Sequence, residues 1–288
     1  MKQHFLDFEA AGKRLAKVVR HTPLEFNERL SEKYQCEIYL KREDLQIVRS
    51  YKLRGAYNMI SQLNSEELGR GVVCAIAGNH AQGVAYSCNK LNTRGVIFMP
   101  EITPKQKISQ TEMFGNGFIE IILTGDTFDD CLLDALAYTR NHQMTFIPPF
   151  DDVSIIEGQG TVGIEIFEDL PGADIIILPV GGGGLGAGVG SYLKQQNPDI
   201  LLIGVEPEGA PSMMKAFENG CPISLDKIDR FVDGAAVKTV GQLTYPLCRD
   251  VLDDMLLVPE GKVCTTILKL YNEDAIVVEP AGALSVAV

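Results

Sequence analysis

From about residue 72 almost to the end of the chain, short apolar and β-branched runs alternate with longer stretches whose apolar positions recur every three or four residues. The runs fall at 72–76, 95–99, 118–123, 145–147, 174–179, 201–206, 255–258 and 276–278, and they predict strands. The stretches between them, 81–91, 104–114, 127–141, 160–170, 185–196, 211–219 and 261–271, predict helices, and an apolar helix closes the chain over 281–288. Such alternation predicts βα units, that is, mainly parallel sheets with helices on both faces. Several runs are apolar at every position, as doubly covered strands are. Upstream, 37–41 reads as a strand and 54–63 as a helix. Phe5, Phe8, Ala11 and Leu15 share one face of a helical pattern over 5–19.

Two interruptions divide this pattern. Pro148-Pro149-Phe150-Asp151-Asp152 stops both ladder and helix, and the polar stretch 42–50 separates the first strand from the helix after it. Together they frame a unit of about a hundred residues, a usual domain size. The fold expected is two three-layer α/β domains with mainly parallel sheets. The small one covers 48–147, and the large one is assembled from 1–47 and 148–288.

Charge and composition narrow the partners. With 26 Lys plus Arg against 38 Asp plus Glu, the net charge is −12, which argues against a broad nucleic-acid or anionic-membrane surface. Small molecules and other protein chains are the expected partners. The seven cysteines form no CxxC pair, and their odd number fits a reduced, cytoplasmic setting. His4, His21, His80 and His142 are far apart and no HExxH occurs, so a zinc site has little support. No apolar run reaches the roughly 18 residues of a membrane span, and the N-terminal stretch does not read as a signal peptide.

Three segments carry candidate chemistry. After the run 175–180 come Gly181-Gly182-Gly183-Gly184-Leu185-Gly186, so unobstructed backbone N–H groups converge where a helix begins. That is an anion cradle, most often for phosphate. Gly181, Gly183 and Gly186 also satisfy GxGxxG, with Glu206 20 residues beyond Gly186, which leaves an NAD-dependent dehydrogenase open. In Ser50-Tyr51-Lys52-Leu53-Arg54-Gly55-Ala56, Lys52 stands at a helix start beside Tyr51 and Arg54. A neighbouring cation and partial burial would lower its amine from the usual value of about 10.4 and free a nucleophile for a Schiff base. In Ile76-Ala77-Gly78-Asn79-His80-Ala81-Gln82-Gly83, small residues at a strand end open a helix and suit a carboxylate. His80 reads there as a positioning or packing residue, because a helix N-terminus disfavours its protonated form.

In this order and spacing the segments resemble the pyridoxal-phosphate enzymes of fold type II, most closely the threonine dehydratases (threonine ammonia-lyases) of the serine/threonine dehydratase family. The resemblance runs from His21-Thr22-Pro23-Leu24 to Glu279-Pro280-Ala281-Gly282-Ala283. It includes Glu43-Asp44-Leu45-Gln46, Phe150-Asp151-Asp152, Gly158-Gln159-Gly160-Thr161 and Pro179-Val180 before the glycines. It implies that Lys52 carries pyridoxal 5'-phosphate, Tyr51 packs near its ring and Asn79 bonds its phenolic oxygen. Gly181, Gly182, Gly183, Gly184 and Leu185 would hold the phosphate, and Ala77, Gly78, Asn79 and His80 the substrate. The implied activity is β-elimination of L-threonine to 2-oxobutanoate and ammonia, with L-serine as a second substrate, in isoleucine biosynthesis. A homodimer or homotetramer is the implied assembly.

Departures from the family pattern are equally specific. Racemases of this type place a proton-bearing serine at position 77, where this chain has Ala77, and elimination is therefore favoured. Dehydratases usually have serine where Ile76 stands. Relatives with a cation near the cofactor use the equivalents of Glu206 and the Ala210 carbonyl, but their third ligand, an aspartate, is Ser212 here. The Ser-Gly-Gly-Asn strand and the regulatory domain that usually follow are absent from this sequence, which reads as a truncated chain with an uncovered terminal helix. A cofactor-binding relative that has lost turnover is the remaining alternative.

Overall fold

A computed structural model describes residues 6–125 and 128–288; His4, Phe5 and Thr127, which entered the reading above, lie outside the described residues. Three sheets are present among them. β1 (Leu24–Phe26) and β2 (Tyr39–Lys41) form an antiparallel pair. β3 (Val72–Ala75), β4 (Gly95–Met99), β5 (Ile119–Leu123) and β6 (Thr145–Phe146) form a parallel sheet in the order β5-β4-β3-β6. β7 (Ile175–Pro179), β8 (Leu201–Pro207) and β9 (Asp254–Val258) form a second parallel sheet in chain order. The α/β class and the mainly parallel pairing agree with the sequence pattern.

Parallel neighbours need a crossover, and helices supply it: Asn79–Leu91 after β3, Lys105–Gly115 after β4, Phe128–His142 after β5 and Gly184–Gln196 after β7. Every residue of β3 and β4 is buried, as continuously apolar runs require. The Val153–Asp169 helix runs between the Lys52–Ile60 and Gly184–Gln196 helices. It starts earlier than the sequence suggested because Asp152 caps it, its carboxylate accepting from the Ser154 N–H at 2.7 Å. A Cβ on Gly158 would lie 2.6 Å from the Arg54 carbonyl, so glycine is what lets the Lys52 helix approach to backbone contact.

Two expectations are corrected. Residues 276–278 form no ladder: they are an extended link after the left-handed Ala275, the Ile276 N–H turning back to the Leu270 carbonyl. The terminal helix, Pro280–Ala287, is not exposed, since Ala283, Leu284 and Ala287 are buried in a cluster with Val258 and Val263.

Candidate active site

The three chemical segments meet in one cleft of about 1650 Å³. Two of them follow the carboxyl ends of parallel strands, β3 and β7, where open α/β sheets place ligands. A third strand end, Ile147-Pro148-Pro149 after β6, also reaches the cleft and holds the lysine: Lys52 Nζ donates to the Pro149 carbonyl at 3.0 Å. Its amine sits 5.5 Å from the Tyr51 ring centroid. Burial lowers the Lys52 pKa to about 8, against an opposing pull from Glu279. Burial likewise raises that of the Tyr51 phenol.

Arg54 does not contribute to this lowering, contrary to the sequence reading. Its guanidinium is fully buried on the other side of the helix, bonded to Glu43 at 2.7 Å and Glu165 at 2.6 Å. Lys41 joins Glu165 at 2.7 Å, and Thr22 donates to Glu43. A buried cation is tolerated only when paired in this way. The network ties the segments around residues 22 and 43 to the Lys52 helix, which accounts for two of the motifs.

In the same cleft, the glycine loop presents backbone. Gly183 is left-handed (φ 94°) and N-caps the Gly184–Gln196 helix, whose first N–H groups have no intrahelical partner. A Cβ on Gly182 would fall 2.2 Å from the Phe150 ring, and one on Gly181 3.0 Å from Ala235. Thr244 Oγ1 donates to the Gly182 carbonyl at 2.5 Å. Asp151 accepts from the N–H groups of Gln242, Leu243 and Thr244, fixing the segment behind the loop. Neither Asp151 nor Thr244 was readable as a loop support, because the contact joins positions more than 60 residues apart.

His80 is buried, and its pKa is lowered to about 3 by burial and by the Lys52 charge. Its neutral ring bonds the Ile147 carbonyl through Nε2 at 3.0 Å, leaving buried Nδ1 without a partner among the described residues. Asn79 opens its helix and donates through Nδ2 to Glu279 Oε1 at 2.6 Å. Burial raises the Glu279 pKa, while the Asn79 bond works the other way. Ile76, Ala77 and Gly78 line the same cleft. Glu279, known from the sequence only as part of a motif, is thus a cleft residue.

Glu206 does not belong to this cleft. It is fully buried on β8 and accepts from the N–H groups of Met213 (2.7 Å) and Met214 (2.9 Å), capping the Ser212–Asn219 helix. Its pKa rises to about 7 through burial, against those bonds. The Ala210 carbonyl accepts from the Ser212 N–H at 3.0 Å. The cap engages the acid that a dinucleotide ribose would need. No cluster of three or more His, Cys, Asp or Glu able to hold a metal ion occurs among the described residues. Nor is any described helix long and apolar enough to cross a membrane.

Residues 15–288 match the family described as "Pyridoxal-phosphate dependent enzyme". The biosynthetic L-threonine dehydratase of Halalkalibacterium halodurans is 56% identical over 282 residues, 98% of this chain and 68% of the relative. That of Bacillus subtilis is 59% identical over 271 residues, 94% of this chain and 64% of the relative. The chain thus spans about two thirds of the length of the curated relatives it matches. The processed threonine deaminase isoform 2 of Solanum lycopersicum superposes with a TM-score of 0.90 at 41% identity, covering 98% of this chain and 83% of that one.

Proposed function

The chain belongs to the pyridoxal-phosphate-dependent enzyme family, and from that premise we propose that it is a lyase converting L-threonine to 2-oxobutanoate and ammonia. L-Serine, giving pyruvate, is the second substrate, and isoleucine biosynthesis is the setting. The observation that carries this reading is a desolvated lysine amine and a helix-terminal glycine cradle lining one cleft.

The cradle suits the cofactor. Phe150 and Ala235 leave no room for a Cβ at Gly182 or Gly181, so the loop offers its backbone alone, and its N–H groups suit a phosphate dianion. In this reading Gly181–Gly184 and Leu185 hold the phosphate, Lys52 the reactive carbon, and Tyr51 flanks the ring. Asn79 has a second amide hydrogen for the phenolic oxygen while the first serves Glu279. When bound, pyridoxal phosphate supplies the electron-accepting ring that makes the substrate Cα proton removable.

The residues of the chain supply the rest. With its pKa lowered to about 8, Lys52 is partly neutral at physiological pH and able to act as base at Cα. Gly78, Asn79 and His80 receive the carboxylate at the helix N-terminus, and His80, being neutral, does not protonate the departing groups. Ala77 has no proton to deliver to the opposite face, which favours elimination over racemisation. The same proposal includes a small domain over 48–147, a large one from 1–47 and 148–288, a homo-oligomer and a cytoplasmic location.

The test is direct. Protein loaded with pyridoxal phosphate is titrated with L-threonine and L-serine while visible absorbance and oxoacid release are followed. A visible band that changes with substrate, with stoichiometric 2-oxobutanoate and ammonia, is expected. A bound cofactor without oxoacid from either amino acid overturns the reading.

A further inference from the structure

Two polar links join residues that line the cleft, and the proposed chemistry uses only one. Besides the Asn79–Glu279 bond, the Lys107 ammonium meets the Asp233 carboxylate. Lys107 stands in the first turn of the Lys105–Gly115 helix, and its Nζ lies 4.0 Å from where a Cβ on Gly78 would be. Gly78 is itself the N-cap of the 13-residue Asn79 helix. The Lys107 cation, paired with Asp233, and the positive end of a helix therefore bear on the same point. His80, on that helix's first turn, adds a buried ring nitrogen with no partner among the described residues. The Lys107 side chain is 32% exposed and that of Asp233 44%, so the pair is solvated and can exchange at little cost.

We propose that Lys107 anchors the substrate carboxylate, and that Asp233 is the internal anion it releases when substrate enters. The inference rests on the reading of an amino acid held at Gly78–His80. Exchange of one carboxylate for another keeps the lysine paired throughout, so specificity for an acid is obtained without leaving a cation unmatched in the cleft.

The test uses the cofactor-loaded protein and three variants, Lys107→Met, Lys107→Arg and Asp233→Asn. Each is titrated with L-threonine and with L-threoninamide, whose carboxamide is uncharged, and read by visible absorbance. Lys107→Met should weaken threonine about tenfold and the amide less than about twofold, while Lys107→Arg retains most of the affinity. Asp233→Asn removes the competitor and should tighten threonine about threefold, with the amide unmoved. Equal weakening of acid and amide in Lys107→Met, or weaker threonine in Asp233→Asn, overturns the proposal and makes the pair a structural strap. If the carboxylate preference follows Lys107 while no oxoacid forms, the lyase reading fails and the anchor stands.

Discussion

One wall of the cleft, residues 181–185, offers backbone; the other, Lys52 with Asn79 and His80, offers side chains. The backbone wall is shaped by what lies behind it: Phe150 against Gly182, Thr244 on the Gly182 carbonyl and Asp151 on three N–H groups. Nothing in it titrates near neutrality. The side-chain wall is governed by desolvation, which holds Lys52 near 8 and keeps His80 neutral. One wall is built to fix an anion by geometry, and the other to hold and move a proton. Changes to the first should act through stability and cofactor affinity, and changes to the second through turnover and pH.

The largest separation is expected from Lys52→Ala. Loss of the base alone should lower oxoacid formation by about 10⁴-fold, with the visible cofactor band abolished and the thermal midpoint nearly unchanged. Retention of the band would remove Lys52 from the role that distinguishes its wall. On the backbone wall Gly182→Ala forces a Cβ to within 2.2 Å of the Phe150 ring. Overpacking should destabilise the protein by about 1–3 kcal/mol and weaken pyridoxal phosphate about tenfold or more. Adding Phe150→Leu should recover part of both losses, measured by denaturant unfolding and cofactor titration. A double variant no better than the single one would mean the loop is not shaped by that ring.

Asp151→Ala acts one step further back. It leaves three N–H groups at the start of the Thr244–Val251 helix without their acceptor, and the loss of such a cap costs about 0.5–2 kcal/mol. Cofactor affinity should fall with it, because Thr244 holds the Gly182 carbonyl. The pH profile of turnover should not move. A shifted profile would show that the two walls are not separable.

The walls also differ in how far the sequence discloses them. Four glycines between an apolar run and a helical pattern are a local signal, whereas Gly158 entered only as part of a family motif. Lys52 and His80 were local candidates, but the roles of Lys52 and Asn79 toward a cofactor became legible only through the order and spacing of motifs, since a lone lysine at a helix start is ordinarily a solvated charge. The supports stayed hidden. Asp151 with Thr244, Asn79 with Glu279 and Arg54 with Glu165 are joined by folding across roughly 90 to 200 positions. Glu206 misled for the same reason: its place after an apolar run fits a ribose acid, but the helix at Ser212 turns back and takes its carboxylate as a cap. Residues 276–278 have the apolar content of a strand but no neighbouring edge in register with them.

The smallest effect expected is also the most discriminating, because it concerns protons alone. In cofactor-free protein Lys52 has a folded pKa of about 8, below its ordinary 10.5. Between these values the unfolded chain binds more protons, so the contribution of Lys52 makes stability rise with pH across that window. Below pH 8 the buried amine must either carry its charge or give it up, and both cost free energy. Lys52→Met should therefore be more stable than wild type at pH 7, by about 1–2 kcal/mol after allowance for water in the cleft, and the gap should close towards pH 10.5. The difference between two proteins is the quantity to measure, since the buried thiols of Cys74, Cys88 and Cys248, raised by burial, oppose the trend in both above pH 9. The gap between Gly182→Ala and wild type should stay flat over the same range, because no proton is bound or lost there. A gap for Lys52→Met that is equally flat would mean that water reaches the amine freely, and the distinction between a geometric wall and a protonic one would be lost.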